Sequence, residues 1–403
     1  MVMSSSVSAL LVAALASCSV VQLVVSSSVV APKPKDSPSS CRLPSISNKY
    51  LSVGFGFDTQ DLSCVSSIGT MKTFTLFVDF ADQPALNDTT QGLYDFFFPN
   101  ASIWYETSSY GKLSLDTAAD TSRFYRMPLN ASEYEWNRGI TYEQHESYIQ
   151  DALEAYASVN GADVAPVDAL YVVASRNSPG ITYSPTFMGN VTTRNGTFVS
   201  KKAVTVGYDA YAKWGYKLIN HETGHVMCLA DLYPATGAVG LYVGDYNIMG
   251  NINALYPDYF AWDKWRLGWL EDAQVDCISA LDKGVTTHTI NALESKSKGL
   301  KFVVLKRDET QALIVEARTG GGVDDKGGKP GVVVYTIDTA LETLQGPIRV
   351  FTEKPLSLED QSELQVPAWG TKVILREQHS DMYVVNIETG WSNTTGARAV
   401  LWN

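Results

Sequence analysis

Two histidines four residues apart are the side chains in this sequence best spaced for chemistry. His221 and His225 enclose the run His-Glu-Thr-Gly-His. Residues four apart lie on one face of a helix, one turn above the other, so both imidazoles could chelate one zinc ion. Glu222 would not bind the metal but could take a proton from the water that zinc activates. Because the chain holds only five histidines, chance explains this spacing poorly, and the motif predicts a zinc site.

A catalytic zinc site needs a third protein ligand and an open fourth position. The 40 residues after His225 contain no glutamate and no histidine, which leaves aspartates and one thiol. These candidates are Asp231, Asp245, Asp258, Asp263 and Cys228. Asp231 lies six residues after His225 and would reach the metal if the chain turned back after the helix, so we favour it. Cys228 shares the ligand face of the helix and is the alternative, although a disulfide suits it better in a secreted protein.

The helix that must carry the motif is predicted from about Ala212 to Leu229. Upstream, β-branched and aromatic runs predict strands at 73–80, 167–174 and 203–208, and apolar residues at helical spacing predict a helix around Ile149. This alternation indicates an α/β layered domain with a mixed twisted sheet, bounded at 67–275. Later runs predict a β-rich, sandwich-like domain over 276–403. They are 300–305, 313–317, 332–337, 373–375, 382–387 and 399–402.

Composition excludes several classes of protein. The chain has 403 residues, of which 45% are hydrophobic and 18% charged, so it is not disordered, collagen-like or a coiled coil. Its formal net charge is -12 and no basic cluster is visible. Since nucleic-acid binding depends on clustered Lys and Arg, a nucleic-acid partner is excluded.

The start of the chain predicts export. Residues 1–31 include an apolar run and small residues, typical of a signal peptide, and an uncleaved membrane anchor is the alternative. The Ser- and Pro-rich segment 32–66 is interpreted as a linker or a short propiece. Six N-x-[ST] triplets follow, which indicates a secreted glycoprotein with no stable membrane association. Their asparagines are Asn87, Asn100, Asn130, Asn190, Asn195 and Asn393.

Four cysteines remain after the predicted leader. An even number in an oxidising compartment predicts two disulfides, for which three pairings exist. We favour Cys41–Cys64 and Cys228–Cys277, because each closes a short to medium loop. A thiolate from Cys41 or Cys64 that blocks the zinc in a zymogen is the alternative for the first pair.

The sequence around the zinc motif resembles that of a known protein family. The zinc motif followed by Leu229-x-Asp231-Leu232-Tyr233 is similar to that of the M6 metallopeptidases, the immune-inhibitor-A-like family, and is close to its fungal secreted members. The similarity covers most of residues 70–340. Its further blocks are 77–84, 109–113, 245–250, 260–270, 316–318 and 331–338.

The resemblance implies a zincin or metzincin-like catalytic domain with Asp231 as third ligand. It also implies that Met249, in Asp-Tyr-Asn-Ile-Met-Gly, belongs to a Met-turn beneath the metal. One position departs from the family: Cys228 stands where a glycine is usual. Because glycine suits a left-handed turn at the end of a helix, either the disulfide holds Cys228 in that conformation or the helix exit differs.

Other residues are assigned from their surroundings in the sequence. Candidate second oxyanion donors are Tyr246, Tyr256 and Tyr259. Helical spacing predicts a core role for Trp262, Trp265 and Trp269, and His145 is predicted to lie on the surface. The carboxylates of Asp324 and Asp325 could bind calcium, but the neighbouring glycines favour a solvated turn.

Together these observations predict a secreted zinc endopeptidase that acts on protein or peptide substrates. Zinc is the expected cofactor, and Glu222 the general base. The alternative is a catalytically silent extracellular binding protein that zinc stabilises, against which the intact Glu222 argues.

Overall fold

The computed structural model describes residues 35–45, 54–57, 64–324, 327–352 and 354–391. The predicted signal peptide, the predicted strand at 399–402, Asp325 and Asn393 lie outside the described residues. No helix within these ranges is long and apolar enough to cross a bilayer.

The described chain combines helices with several sheets, which confirms the predicted mixture of α and β structure. The α-helices are α1 (Thr90–Ser108), α2 (Tyr142–Asn160), α3 (Tyr216–Val226) and α4 (Ala261–Arg266). The strands are β1 (Gly69–Asp79), β2 (Leu113–Ala119), β3 (Tyr125–Arg126), β4 (Ala169–Ala174), β5 (Thr186–Phe187), β6 (Val191–Thr192), β7 (Phe198–Ser200), β8 (Lys202–Val206), β9 (Val275–Ser279), β10 (Gly284–Asn291), β11 (Phe302–Lys306), β12 (Gln311–Arg318), β13 (Gly331–Asp338), β14 (Ile348–Val350), β15 (Glu363–Val366), β16 (Thr371–Gln378) and β17 (Met382–Thr389). A zincin-like topology stays a prediction.

The sheet that precedes the motif helix has the order β2-β1-β4-β8-β5, and β3 also pairs with β1. Its strands are parallel except β5, which runs antiparallel to β8 at the edge. Side chains alternate between two clusters: Phe77 packs with apolar residues of α1 and α3, whereas Leu76 and Val78 pack with those of α2. Helices therefore cover both faces, as a mostly parallel sheet requires.

The later strands form two sheets that share a core. The first has the order β14-β13-β12-β11-β9 and the second β10-β17-β16-β15. Alternate residues of both sheets, such as Val315 and Val385, meet in one cluster. The opposite face of the first sheet, with Ile314, packs in the same cluster as α1 and α3. The core is therefore continuous across residue 275, and the predicted division into domains stays a prediction.

The predicted disulfide pairing is wrong. The bonds join Cys41 to Cys277 and Cys64 to Cys228, with Cα atoms 5.8 and 5.6 Å apart. The first places residues 35–45 beside β9, where the Asp36 amide donates to the Cys277 carbonyl at 3.0 Å. The second fixes the segment before β1 to the end of α3. Our preference for short loops failed because tertiary packing, rather than sequence separation, brings these cysteines together.

Candidate metal centre

The motif helix α3 is shorter than the predicted 212–229. A π-helical turn occupies Ala210–Trp214, and α3 itself runs from Tyr216 to Val226. Gly215 separates them with a φ of 58°, a conformation at which a regular helix stops. The two motif histidines lie on successive turns of α3, and their ring centroids are 4.9 Å apart.

The turn after α3 determines where the third candidate ligand lies. The Leu229 amide donates to the Gly224 carbonyl at 2.9 Å, and the Cys228 amide donates to the His225 carbonyl at 2.8 Å. These bonds form a Schellman ending, in which the residue at Cys228 must be left-handed, and its φ is 64°. Cys228 thus adopts the conformation that favours glycine, and its sulfur is bonded to Cys64. A disulfide sulfur is not a free thiolate ligand, so the alternative third ligand is excluded.

The chain then returns Asp231 to the two imidazoles. Its Oδ1 lies 3.2 Å from His221 Nε2 and 3.3 Å from His225 Nε2. The ligand atoms of the three residues all lie within 4.8 Å of one another. Asp231 Oδ1 is buried, and no donor in the described part of the chain makes a hydrogen bond to it. A buried carboxylate oxygen without a donor, facing two imidazole nitrogens, fits a divalent cation held in common.

Two backbone carbonyls orient the imidazoles. His221 Nδ1 lies 2.9 Å from the Ile248 carbonyl, and His225 Nδ1 lies 2.7 Å from the Leu229 carbonyl. Because a carbonyl only accepts, each Nδ1 must carry a proton, and Nε2 is the nitrogen of each ring that faces Asp231. Such outer hydrogen bonds are what fixes the tautomer of metal-binding histidines.

A tight turn places Met249 under the motif helix. Asn247 is left-handed, with a φ of 64°, and its side-chain carbonyl accepts from the Met249 amide at 2.9 Å. A Cβ added to Gly224 would lie 2.7 Å from Met249 Sδ, so the thioether packs directly against the helix at this glycine. Met249 therefore lies against the helix that carries the candidate ligands, and its role in a Met-turn stays a prediction.

Glu222 is buried beside the cluster and does not share its donor set. Its Oε1 lies 4.0 Å from His221 Nε2. Its Oε2 accepts from the Thr186 hydroxyl at 2.8 Å, and the same hydroxyl lies 3.0 Å from the Glu222 backbone carbonyl. Thr186 belongs to the edge strand β5, so a strand of the main sheet fixes one oxygen of this carboxyl.

Burial and neighbouring charges set the protonation of the site. Burial raises the pKa of Glu222, and the charges of His221 and His225 offset part of that rise. Burial also acts to raise the pKa of Asp231, but the two imidazoles outweigh it and hold that pKa well below its ordinary range. For His225, burial lowers the pKa, but Asp231, the charge of Glu222 and the Leu229 carbonyl together raise it more, to about 9. Of the two carboxyls, Asp231 therefore loses its proton more readily than Glu222 does.

The cluster opens into a cavity of about 770 Å³. His221, Glu222, His225 and Asp231 line it, together with apolar side chains. The three tyrosines predicted as oxyanion donors do not line it, so that prediction is wrong. Tyr246, Tyr256 and Tyr259 are buried in the core, and the hydroxyls of the last two donate to the Lys329 and Asn220 carbonyls. The tyrosines that line the cavity are Tyr183 and Tyr233.

Two further predictions also need correction. His145 is buried, 5% exposed, because it contacts Thr205 at 2.9 Å and stacks edge-on against Trp136. Asp324 is fully buried and pairs with Arg318 at 2.7 Å, so it lies in an ion pair rather than in a solvated turn.

The predicted core role of three tryptophans is confirmed, whereas glycosylation of the predicted asparagines stays a prediction. The three tryptophans assigned to the core are buried; they are Trp262, Trp265 and Trp269. Of the predicted glycosylation sites in the described residues, Asn130 is half-buried and the others are exposed; these are Asn87, Asn100, Asn190 and Asn195.

Several residues that line the cavity lie outside the motif and were not identified from the sequence. Thr186 lies 35 residues before the motif and carries no pattern of its own. Arg138 contributes the single Lys or Arg side chain among the lining residues. Tyr233 had a usable signal, since it stands two residues after Asp231. Comparison of the chain with protein-family models and with curated proteins finds no match to either.

Proposed function

We propose that the chain is a zinc-dependent endopeptidase. The observation that carries the proposal is the convergence of two imidazole Nε2 atoms and one carboxylate oxygen within 4.8 Å, in a cavity that also holds an unshared carboxyl. Two histidines and one carboxylate form a donor set typical of catalytic zinc, which keeps one position for water or substrate. The resemblance of the motif and the Met249 turn to M6 metallopeptidases supports the same class of reaction.

The division of work among the residues follows from their positions. His221, His225 and Asp231 would hold the ion through Nε2, Nε2 and a carboxylate oxygen. Zinc, when bound there, would supply a Lewis acid that acidifies water and polarises a peptide carbonyl. Glu222 would accept a proton from the attacking water and deliver it to the departing amine, which balances the hydrolysis of one peptide bond. A buried carboxyl with a raised pKa suits both halves of that transfer.

A catalytically silent, zinc-stabilised binding protein is the second candidate. A purely structural site binds all four positions of the metal with protein ligands. Here three candidate ligands converge, and the cavity beside them is lined by Glu222, which the ligand set does not use. This arrangement favours the enzyme.

We also propose that the protein acts outside the cell. Two disulfides suit an oxidising compartment, and exposed N-x-[ST] asparagines suit the secretory route. The substrates would be proteins or peptides that extend along the cavity.

Replacement of the general base tests this function. Glu222→Gln should keep one zinc per chain, measured by atomic absorption, yet lower casein hydrolysis by roughly 10²–10⁴-fold, the usual contribution of a general base. Asp231→Ala should lose both the activity and the zinc. Glu143→Gln, an exposed carboxyl on α2, is the matched control and should match the wild type. Chelator-resistant hydrolysis, or full activity in Glu222→Gln, would contradict the proposal.

A further inference from the structure

We infer that Thr186 is a positioning residue for the proposed general base. Its hydroxyl would hold Oε2 of Glu222 and so leave Oε1 as the oxygen that takes up and releases the proton. This inference rests on the proposed function and adds a residue to it that the motif does not contain.

Both hydrogen-bond acceptors within reach of the Thr186 hydroxyl belong to Glu222. Thr186 Oγ1 lies 2.8 Å from Glu222 Oε2 and 3.0 Å from the Glu222 backbone oxygen. A threonine hydroxyl has one proton to donate, and an ionised carboxylate is the stronger acceptor. Since both acceptors belong to Glu222, either hydrogen bond ties β5 to this residue.

The hydrogen bond distinguishes the two carboxyl oxygens. Oε2 is engaged by the hydroxyl, whereas Oε1 is the oxygen 4.0 Å from His221 Nε2, on the side of the ligand atoms. A proton that arrives from water in the cavity would therefore bind Oε1. When it leaves for the amine nitrogen, the hydroxyl continues to donate to Oε2, so the carboxyl stays in one orientation through the whole transfer.

The strand that carries Thr186 is held by its pairing with β8 and by a buried neighbour. Thr186 pairs with Val204 and Phe187 pairs with Ala203 across the antiparallel junction of β5 and β8. The Thr205 amide of β8 also donates to the Pro185 carbonyl at 3.0 Å. Phe187 is 2% exposed and anchors the strand in the core. A side chain on a short, anchored strand holds a catalytic group more closely than a side chain on a free loop does.

The test compares Thr186→Val with Thr186→Ser. Valine keeps the shape but removes the hydroxyl, so kcat should fall by roughly 10- to 100-fold, the range for lost outer hydrogen bonds at metal sites, with KM and zinc content unchanged. Serine restores the hydroxyl and should restore most of kcat. Thr73→Val, which removes a buried hydroxyl that donates to the Asp116 carbonyl of β2, is the matched control and should leave kcat unchanged.

A binding measurement without turnover gives a second readout. Acetohydroxamate presents a metal-chelating oxygen pair and a proton that a correctly oriented carboxylate can accept. Its Kd, measured by calorimetry on the zinc-loaded chain, should rise in Thr186→Val and in Glu222→Gln but not in Thr186→Ser.

The outcomes separate the two proposals. A wild-type chain that hydrolyses no peptide would overturn the proposed function. An active wild type with equal kcat and equal hydroxamate affinity in Thr186→Val would overturn the role of Thr186 and leave the function standing. Loss of zinc from Thr186→Val with normal zinc in Thr186→Ser would likewise overturn the positioning role, since the hydroxyl would then act on the metal site as a whole.

Discussion

The disulfide between Cys64 and Cys228 should hold the exit turn of the motif helix in the conformation that the candidate metal site needs. Cys228 has a φ of 64°, and a side chain in this region costs roughly 1–2 kcal/mol that glycine avoids. The turn carries the Leu229 carbonyl, 2.7 Å from His225 Nδ1, and leads directly to Asp231. Once the covalent tie is removed, a side chain at 228 should favour relaxed exits in which these groups are displaced.

Two double variants test this role of the disulfide through their affinity for zinc. Cys64→Ser with Cys228→Ser keeps the cost at position 228, so zinc affinity should fall by roughly 5- to 30-fold, which is 1–2 kcal/mol expressed as an equilibrium constant. Cys64→Ser with Cys228→Gly removes that cost and should recover most of the affinity. Both variants lose the same ring of 164 residues, whose closure contributes at most about 5 kcal/mol to the free energy of unfolding.

The assay is competition for zinc against a chromophoric chelator, paired with urea unfolding of the metal-free chain. Cys41→Ser with Cys277→Ser is the matched control, because it opens a ring of 236 residues but leaves the bond between Cys64 and Cys228 intact. It should lower the free energy of unfolding but leave zinc affinity unchanged. The reasoning is refuted if the Ser and Gly variants at 228 bind zinc equally well, or if the control weakens zinc as much as they do.

Two predictions concern buried ionisable side chains outside the site. Burial lowers the pKa of His145 to about 3, against about 6.5 in the unfolded chain. Below pH 6.5 the unfolded chain therefore binds one more proton than the folded chain, and the free energy of unfolding decreases as the pH is lowered. Wild type should therefore lose about 2 kcal/mol more than His145→Gln between pH 7 and pH 5 in chelator, measured by urea unfolding, and equal losses would contradict this. Arg318→Met should cost roughly 3–5 kcal/mol, because it leaves the carboxylates of Glu316 and Asp324 buried and unpaired. Exposed Arg376→Met is its control, and a similar cost in both would show that burial is not the cause.

Features that depend on short stretches of chain were predictable from the sequence. The strands β1 and β4 follow from β-branched and aromatic runs, and the facing imidazoles follow from a spacing of four on a helix. Asp231 could be favoured by elimination because so few ligand types follow the motif. In each of these cases, the deciding interactions lie within a few residues of one another.

Features decided by distant packing were not predictable in the same way. His145 stands on a helix whose buried face is wide, and only the approach of Trp136 and Thr205 shows that the imidazole lies inside. The disulfides join cysteines 236 and 164 residues apart, so loop length carried no information about pairing. The three candidate tyrosines follow the motif in the sequence and are buried in the core, whereas Tyr183, from before the helix, lines the cavity.

The orientation of the candidate ligands shows why a motif alone does not specify a site. The motif supplies His221 and His225. Their Nε2 atoms face Asp231 because the backbone carbonyls of Ile248 and Leu229 accept hydrogen bonds from the Nδ1–H groups. A backbone carbonyl is present at every residue, so no residue type in the sequence reveals which ones will do this. What positions them is the pair of left-handed residues, Cys228 and Asn247, at the two turns. A site search that adds such turns to the motif would therefore select more strictly than the histidine spacing does.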